Sequence, residues 1–321
     1  MIQLFPSQTR FLIGLALVVL LALQPSSLRA LTLAGPNRPA AVPGGYVITP
    51  MGYFHPSCVR QLAPGDRLHP DELVIEHSDG SLDSMPACAF DRFTARGEKV
   101  SVQNTGDATP TIGHSWMEAV YTETTTSYGE MTAEWKVPLA PTARDGQVIF
   151  FFPGMQDYNG VKTIIQPVLG WNSDYPDAWG LASWNCCTNG TVYESRPVPT
   201  APGHIIFGEM KDTCKANTLS CSSWDIVTRD TDTGATSELI DTSSQGQTFN
   251  WGFAGVLEVY SVTKCTDYPA SGSLGFSSLN LYNDKFRRIT PTWFLWKLWP
   301  GLTPQCGYGA TWTPTAATVK F

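Results

Sequence analysis

The sequence predicts an all-β protein, either a sandwich or a barrel, preceded by a small N-terminal region. From about residue 113 onward, strand-length apolar or alternating segments follow one another, and Gly, Pro, Asn and Asp mark turns between them. No stretch of 12 or more residues in this part shows helical periodicity. Charged residues make up only 15% of the chain, while Gly and Pro are plentiful, which is typical of secreted β proteins.

The first 30 residues differ from the rest of the chain. Arg10 precedes the apolar run FLIGLALVVLLAL, and small residues follow it, which is the pattern of a secretory signal peptide. The run is short for a transmembrane helix, so an uncleaved anchor is the weaker alternative. Cleavage after Ala30 would change the formal net charge from −7 to −9, because it removes two arginines and no acid.

Residues 31–112 are interpreted as a leader or propeptide, and residues 113–321 as the main domain. The leader begins with the Pro- and Gly-rich stretch LTLAGPNRPAAVPGG and continues in a short unit that contains Cys58 and Cys88. The stretch TARGEKVSVQNTGDATPTIG then reads as a linker to the main domain.

Eight cysteines in an exported chain indicate disulfides rather than a metal site. We expect Cys58 to pair with Cys88, and Cys214 with Cys221, because these are close in sequence. The pairing of the remaining four is open: Cys186, Cys187, Cys265 and Cys306. The chain has no C-x-x-C and no H-E-x-x-H pattern, so neither a metal nor another cofactor is expected.

The distribution of charge restricts the possible partners. There is no basic patch and no run of like charge, which disfavours nucleic acid. Without the signal peptide no segment is apolar enough for stable membrane association. We therefore expect a secreted monomer.

One short motif resembles the D-T-G of aspartic peptidases. That chemistry needs two carboxylates that share a proton, and therefore two such loops. Only Asp232-Thr233-Gly234 is present, and it lies between two strand-like segments, so it is interpreted as a hairpin turn.

Two polar residues interrupt otherwise apolar strand segments. Gln166 lies in KTIIQPVLGW and Glu258 in AGVLEVYSV. A buried carboxylate can act as a general base or acid, and a nearby amide can donate a hydrogen bond to an oxyanion. From these residues alone, a solvated face on half-exposed strands is the alternative.

The chain from His114 onward resembles the glutamic peptidases of the eqolisin family. The matching segments occur in the family's order: HSWMEAVYTETTTSYGEMTAEWKVPLAP, VIFFFPGMQD, TIIQPVLGW, DAWGLASW, GVLEVYSV and the terminal TVKF. The resemblance places the catalytic glutamine on Gln166 and the catalytic glutamate on Glu258. The chain is also similar, more faintly, to the related neprosin group.

The resemblance implies a concanavalin-like sandwich of two antiparallel sheets with both catalytic residues on one concave face. It also implies a secreted, acid-active endopeptidase that acts on protein or peptide substrates. The family's tryptophan in the VIFFFPGMQD segment is Phe151 or Phe150 here, and the family's acid in DAWGLASW is replaced near Ala182. Four residues are expected to contact the substrate: Phe151, Asp157, Trp171 and Trp184. For the two tryptophans, packing in the core is the alternative, because Trp is a large core residue.

Two other classes of function remain open. A sandwich of this kind also occurs in glycan-binding modules, where exposed tryptophans stack on sugars. A glycosidase would need a second carboxylate near Glu258. The candidates for that carboxylate are Glu134, Asp157 and Glu209.

Overall fold

The computed structural model describes residues 37–69, 74–84, 86–100, 116–160, 163–187, 190–296 and 304–321. The predicted signal peptide, the first residues of the predicted leader and most of its linker lie outside these ranges. Within them the chain forms strands joined by turns and short 3-10 segments, as predicted. No helix in the described part of the chain is long and apolar enough to cross a membrane.

Eight short strands lie in residues 37–100, which we call the N-terminal segment. They are β1 (Val47–Thr49), β2 (Gly52–Phe54), β3 (Val59–Leu62), β4 (Arg67–His69), β5 (Val74–Glu76), β6 (Leu82–Ser84), β7 (Arg92–Phe93) and β8 (Lys99–Val100). Strands β1, β2, β7 and β8 form one small sheet, and β4 to β6 form another. Strand β3 leaves both and joins a sheet of the main domain.

The main domain contributes sixteen described strands. They are β9 (Trp116–Glu123), β10 (Tyr128–Lys136), β11 (Val148–Gln156), β12 (Ile164–Trp171), β13 (Trp179–Cys186), β14 (Val192–Ser195), β15 (Val198–Pro199), β16 (Ile205–Asp212), β17 (Ser223–Asp230), β18 (Thr236–Ser243), β19 (Trp251–Tyr260), β20 (Ser273–Asn283), β21 (Arg288–Ile289), β22 (Phe294–Trp296), β23 (Gly309–Thr313) and β24 (Ala316–Lys320).

These strands form two large sheets packed face to face, which confirms the predicted sandwich. The first has the order β22-β9-β19-β11-β12-β13-β14-β3, with β15 paired to β13. The second has the order β18-β17-β16-β10-β20-β24-β23, with β21 paired to β20. Strands β16 and β17 alternate between buried and half-exposed residues, so the second sheet has one core face and one solvated face.

The first sheet is covered on both faces. One face packs on the second sheet in a core that includes Trp135, Phe151 and Leu257. The other, which we call the outer face, packs beneath apolar residues of the N-terminal segment such as Ile48 and Phe54. Strands β11, β12, β13 and β19 are therefore buried at every position, which explains their nearly continuous apolar sequences.

Four disulfides connect the eight cysteines. The pairs Cys58–Cys88 and Cys214–Cys221 are formed as predicted. The remaining pairs are Cys186–Cys187 and Cys265–Cys306. No disulfide joins the N-terminal segment to the main domain, and all eight cysteines are paired. These bonds fit an extracellular protein.

Pro167 fits into β12 because of two neighbours, Pro153 on the adjacent strand and Gly208 in the opposite sheet. The pairs Phe151–Leu169 and Met155–Ile165 place Pro153 of β11 opposite Pro167, so the ladder is interrupted where both residues lack an N–H. The ring of Pro167 points into the core between the sheets and packs on Gly208 of β16. A Cβ at Gly208 would lie 2.7 Å from Cγ of Pro167 and 2.7 Å from the Trp135 ring.

We therefore predict that Gly208→Ala destabilises the protein by about 1–3 kcal/mol, because the added methyl group overpacks this part of the core. Gly275→Ala on β20 of the same sheet is the matched control, since its Cβ would meet no atom closer than 3.5 Å. Urea unfolding of both variants measures the difference. Equal midpoints for the two variants would contradict this account of Pro167.

Glu118 fastens β9 to the far end of the chain. Its carboxylate accepts hydrogen bonds from the backbone N–H of Gly309, at 2.6 Å, and from that of Lys320. The residue is only 1% exposed. Burial raises the pKa of the Glu118 carboxyl to about 8, against the opposing effect of the two N–H donors.

A raised carboxyl pKa means that the folded state binds the proton more tightly than the unfolded state. The stabilisation is complete below the unfolded pKa near 4.5 and declines as pH rises toward 8. We predict that this group lowers the free energy of unfolding by up to about 1.4 kcal/mol per pH unit in that window. Glu118→Gln should show a correspondingly flatter decline in urea unfolding between pH 5 and 8, and identical slopes would refute the assignment.

Candidate active site on the outer face of the first sheet

Gln166 lies in the middle of β12 on the outer face of the first sheet. It shares this face with Ile164 and Val168, as the alternation predicts, and pairs with Trp184 of β13. The side chain is completely buried. Neither the amide nitrogen nor the amide oxygen has a hydrogen-bond partner among the residues that the structure describes. A buried amide without partners costs about 1–3 kcal/mol, so the position is unfavourable for folding alone.

Glu258 of β19 lies on the same outer face, and its carboxylate is held by two donors. Trp116 Nε1 donates to Oε2 at 2.9 Å, and the hydroxyl of Tyr260 donates to Oε1 at 2.6 Å. The side chain is completely buried. These donors come from β9 and from the same strand two residues further on, so the sheet itself fixes the orientation of the carboxylate.

The register places Gln166 and Glu258 diagonally across β11. Glu258 pairs with Phe150, whereas the pairs around Gln166 place it opposite Gly154. Two strand spacings of about 4.8 Å and four residues of about 3.3 Å give a Cα separation of about 16 Å. Phe152, which also faces outward, lies at the midpoint.

The register thus brings Gln166 and Glu258 onto one face of the first sheet, with Phe152 between them. The two donors of the Glu258 carboxylate lie on the sides away from Gln166. Tyr260 follows Glu258 in the direction opposite to Gln166, and Trp116 belongs to β9, across β19 from β11.

The N-terminal segment closes this face. Tyr53 of β2 contacts Tyr260 edge to face, with ring centroids 5.3 Å apart, and Phe54 is buried in the same apolar layer. Arg92 lies 5.8 Å above the Phe54 ring and donates to Sγ of Cys187 at 3.2 Å. The apolar cluster of this layer contains residues of both parts of the chain. A peptide therefore has no access to Gln166 or Glu258 while the segment is in place.

A pair of carboxyl groups lies beside Gln166 on the outer face. Glu194 of β14 pairs with Trp184, and Trp184 pairs with Gln166, so the three side chains form one row across the strands. Asp174 reaches Glu194 from the loop between β12 and β13. That loop can lie close to the sheet because Gly170 and Gly180 have no side chain. A Cβ at either position would overlap Ser173 or Tyr175 of the loop.

The two carboxyl groups interact directly with each other. Burial raises the pKa of Asp174 and, together with the charge of Asp174, that of Glu194. Ser173 donates to Oδ2 of Asp174 at 2.8 Å, and Gln61 of β3 donates to Oε2 of Glu194 at 3.3 Å. Sequence analysis missed this pair, although Glu194 interrupts the apolar strand TVYES just as Gln166 interrupts its own.

The four residues predicted to bind substrate lie in three different places. Trp184 lies on the outer face, next to Gln166. Phe151 and Trp171 face the core between the sheets, which corrects the prediction for both, because strand alternation turns them away from the site. Phe152 is the aromatic residue that lies between Gln166 and Glu258.

Asp157 stabilises a turn, where its carboxylate accepts hydrogen bonds from the N–H groups of Asn159 and Thr248 at 2.8 and 2.9 Å.

The carboxylates considered for a glycosidase lie away from Glu258. Glu134 and Glu209 belong to β10 and β16, on the half-exposed face of the second sheet. Asp157 belongs to the turn described above. None of the three is on the outer face of the first sheet beside Glu258.

One group of side chains in the described residues has the geometry to hold a metal ion: His204, Asp230 and Asp232. Its atoms are already engaged in fixing the hairpin between β17 and β18. Asp230 accepts from Thr200 and pairs with His204, each at 2.7 Å, and Asp232 accepts from the N–H of Ile205 at 2.7 Å. The Asp232-Thr233-Gly234 motif is thus part of the predicted hairpin turn.

Solved structures with a similar arrangement of strands include two glutamic peptidases. A scytalido-glutamic peptidase with a peptide-based transition-state analogue has 13% identity and a TM-score of 0.47, and the match covers 66% of this chain and 100% of that one. SCP-B, described as a member of the eqolisin family of peptidases in complex with the tripeptide Ala-Ile-His, has 13% identity, the same coverage and a TM-score of 0.45.

A CBM2 module of the Lactobacillus casei BL23 phage J-1 evolved Dit matches with 8% identity and a TM-score of 0.24, over 44% of this chain and 65% of that one. No protein-family model and no curated protein matches the sequence. At these identities and TM-scores the similarities assign neither an activity nor a functional residue to this chain.

Proposed function

We propose that the chain is the precursor of a secreted, acid-active glutamic endopeptidase, with Gln166 and Glu258 as its catalytic residues. The observation that carries the proposal is the buried amide of Gln166, which has no hydrogen-bond partner among the described residues and lies on the same face as Glu258, with Phe152 between them. Folding alone does not account for such a group, whereas catalysis requires an unoccupied donor next to a carboxylate.

In the proposed reaction Glu258 acts as general base and then as general acid. Its carboxylate accepts a proton while the water oxygen forms a bond to the carbonyl carbon of the substrate. The N–H of Gln166 donates to the oxyanion that develops on that carbonyl. Glu258 then returns the proton to the amide nitrogen as the C–N bond breaks, which yields a carboxylic acid and an amine. Trp116 and Tyr260 hold the carboxylate in position throughout.

The N-terminal segment is proposed to be an inhibitory propeptide, and the signal peptide before it directs secretion. Its apolar residues cover the outer face, so the proposed enzyme requires displacement or cleavage of the segment before a protein or peptide substrate can bind. The mature enzyme is proposed to act as a monomer without cofactor, nucleic acid or membrane partner. Trp184, beside Gln166, is proposed to contact the substrate.

A glycan-binding module is the rival class. The tryptophans of the outer face are Trp116, Trp184 and Trp251, which are at most 2% exposed while the N-terminal segment covers them. Departure of the segment would uncover them for either function, so their burial does not separate the two classes. The unpaired amide of Gln166 favours the peptidase, because a glycan-binding role leaves it unexplained.

We predict that Gln166→Ala lowers turnover of a denatured protein substrate at pH 3–5 by about 10²–10³-fold, since it removes an oxyanion donor. Glu258→Gln should abolish measurable turnover, because an amide cannot accept the proton of water. Both are assayed after removal of the N-terminal segment, by mass spectrometry of released peptides.

The matched controls are Gln305→Ala and Glu123→Gln, which change the same residue types at exposed positions. Both should retain wild-type turnover. If the wild-type protein releases no more peptide than Glu258→Gln at any pH, the chain is not a glutamic peptidase.

We also predict that Phe54→Ala raises the activity of the uncleaved chain. Truncation of this buried ring weakens the packing of the N-terminal segment by about 3–5 kcal/mol, which makes the open form more populated. Leu82→Ala, in the same segment at a position that is 64% exposed, is the control. Initial rates on a fluorogenic peptide at pH 4 measure the effect, and equal rates for the two variants would exclude an inhibitory role.

A further inference from the structure

The carboxyl pair of Asp174 and Glu194 has one oxygen whose donor belongs to the N-terminal segment. Oδ2 of Asp174 accepts from Ser173, whereas Oδ1 of Asp174 and Oε1 of Glu194 have no hydrogen-bond donor among the described residues. Oε2 of Glu194 accepts from Gln61. Departure of the N-terminal segment would therefore leave this oxygen without its donor.

Gln61 reaches the pair because β3 extends the first sheet. Strand β3 runs parallel to β14, and Gln61 pairs directly with Glu194. A segment that is proposed to leave the enzyme thus places a carboxamide against a completely buried carboxyl group. The main domain provides both carboxyl groups of the pair, whereas the Gln61 carboxamide that contacts Glu194 belongs to the N-terminal segment.

Glu194 of the pair lies in the same cross-strand row as Gln166. Gln166, Trp184 and Glu194 follow one another in a single row on adjacent strands. Three strand spacings from Phe152 to β14 correspond to about 14 Å, which an extended peptide spans with about four residues. A substrate that crosses the outer face above Trp184 therefore carries a side chain to the pair.

We infer that Asp174 and Glu194 form a specificity subsite for a glutamine side chain of the substrate, about four residues from the bond that is cut. This inference rests on the proposed peptidase function. The carboxamide of the substrate takes the place of the Gln61 carboxamide and donates to Oε2 of Glu194. A substrate with an apolar side chain at this position leaves Oε2 of Glu194 buried without a donor. The cost of that unpaired oxygen disfavours such a substrate.

The test uses two sets of synthetic peptides that are identical except for Gln or Leu at one position, scanned over five residues on each side of the cleaved bond. The ratio of kcat/KM for the Gln and Leu peptides is measured with the wild type and with Glu194→Leu. We expect a ratio of at least about tenfold at one position four residues away, and a ratio near one for the variant. The exposed control Glu123→Leu should keep the wild-type ratio.

A ratio near one at every position of the wild type, or an unchanged ratio in Glu194→Leu, overturns the subsite while the peptidase function stands. A wild type that cleaves no peptide overturns the peptidase function instead. A double-mutant cycle of Gln61→Leu and Glu194→Leu in the full chain adds a readout independent of catalysis. We expect non-additive shifts of Tm, and additive shifts would show that the Gln61 contact contributes nothing and refute its role as occupant.

Discussion

The structure depends on the burial of the first sheet on both faces. Strands β11, β12, β13 and β19 have no exposed residue, because the second sheet covers one face and the N-terminal segment covers the other. Polar side chains on such a sheet cannot be hydrated, so each needs a partner within the protein. This constraint makes the few polar residues on the outer face informative.

Glu258, Glu194 and Gln166 on the outer face differ in their hydrogen-bond partners. Glu258 is held by donors from its own sheet, Trp116 and Tyr260. Glu194 lies against Asp174 and accepts a hydrogen bond from Gln61 of the N-terminal segment. Gln166 has no hydrogen-bond partner within the described part of the chain.

Folding and inhibition are coupled in the proposed precursor. The contacts that complete the apolar layer, such as Phe54 beneath Arg92, are the contacts that close the outer face. Strand β3 also protects the edge of β14, which would otherwise present unpaired backbone groups. Release of the segment would therefore expose the apolar residues of this layer to water and make the outer face accessible to substrate. No disulfide prevents this release, because Cys58–Cys88 lies entirely within the segment.

The sequence by itself determined the all-β class, the local disulfides and the two faces of the strands that carry Gln166 and Glu258. These follow from alternation and spacing, which depend on neighbours in the chain. Only the tertiary structure decided that Phe152 rather than Phe151 lies between those residues, that Pro167 packs on Gly208, and that Asp174 meets Glu194. Each of these depends on register or on loop path between strands that are distant in sequence, and alternation within one strand carries no information about either.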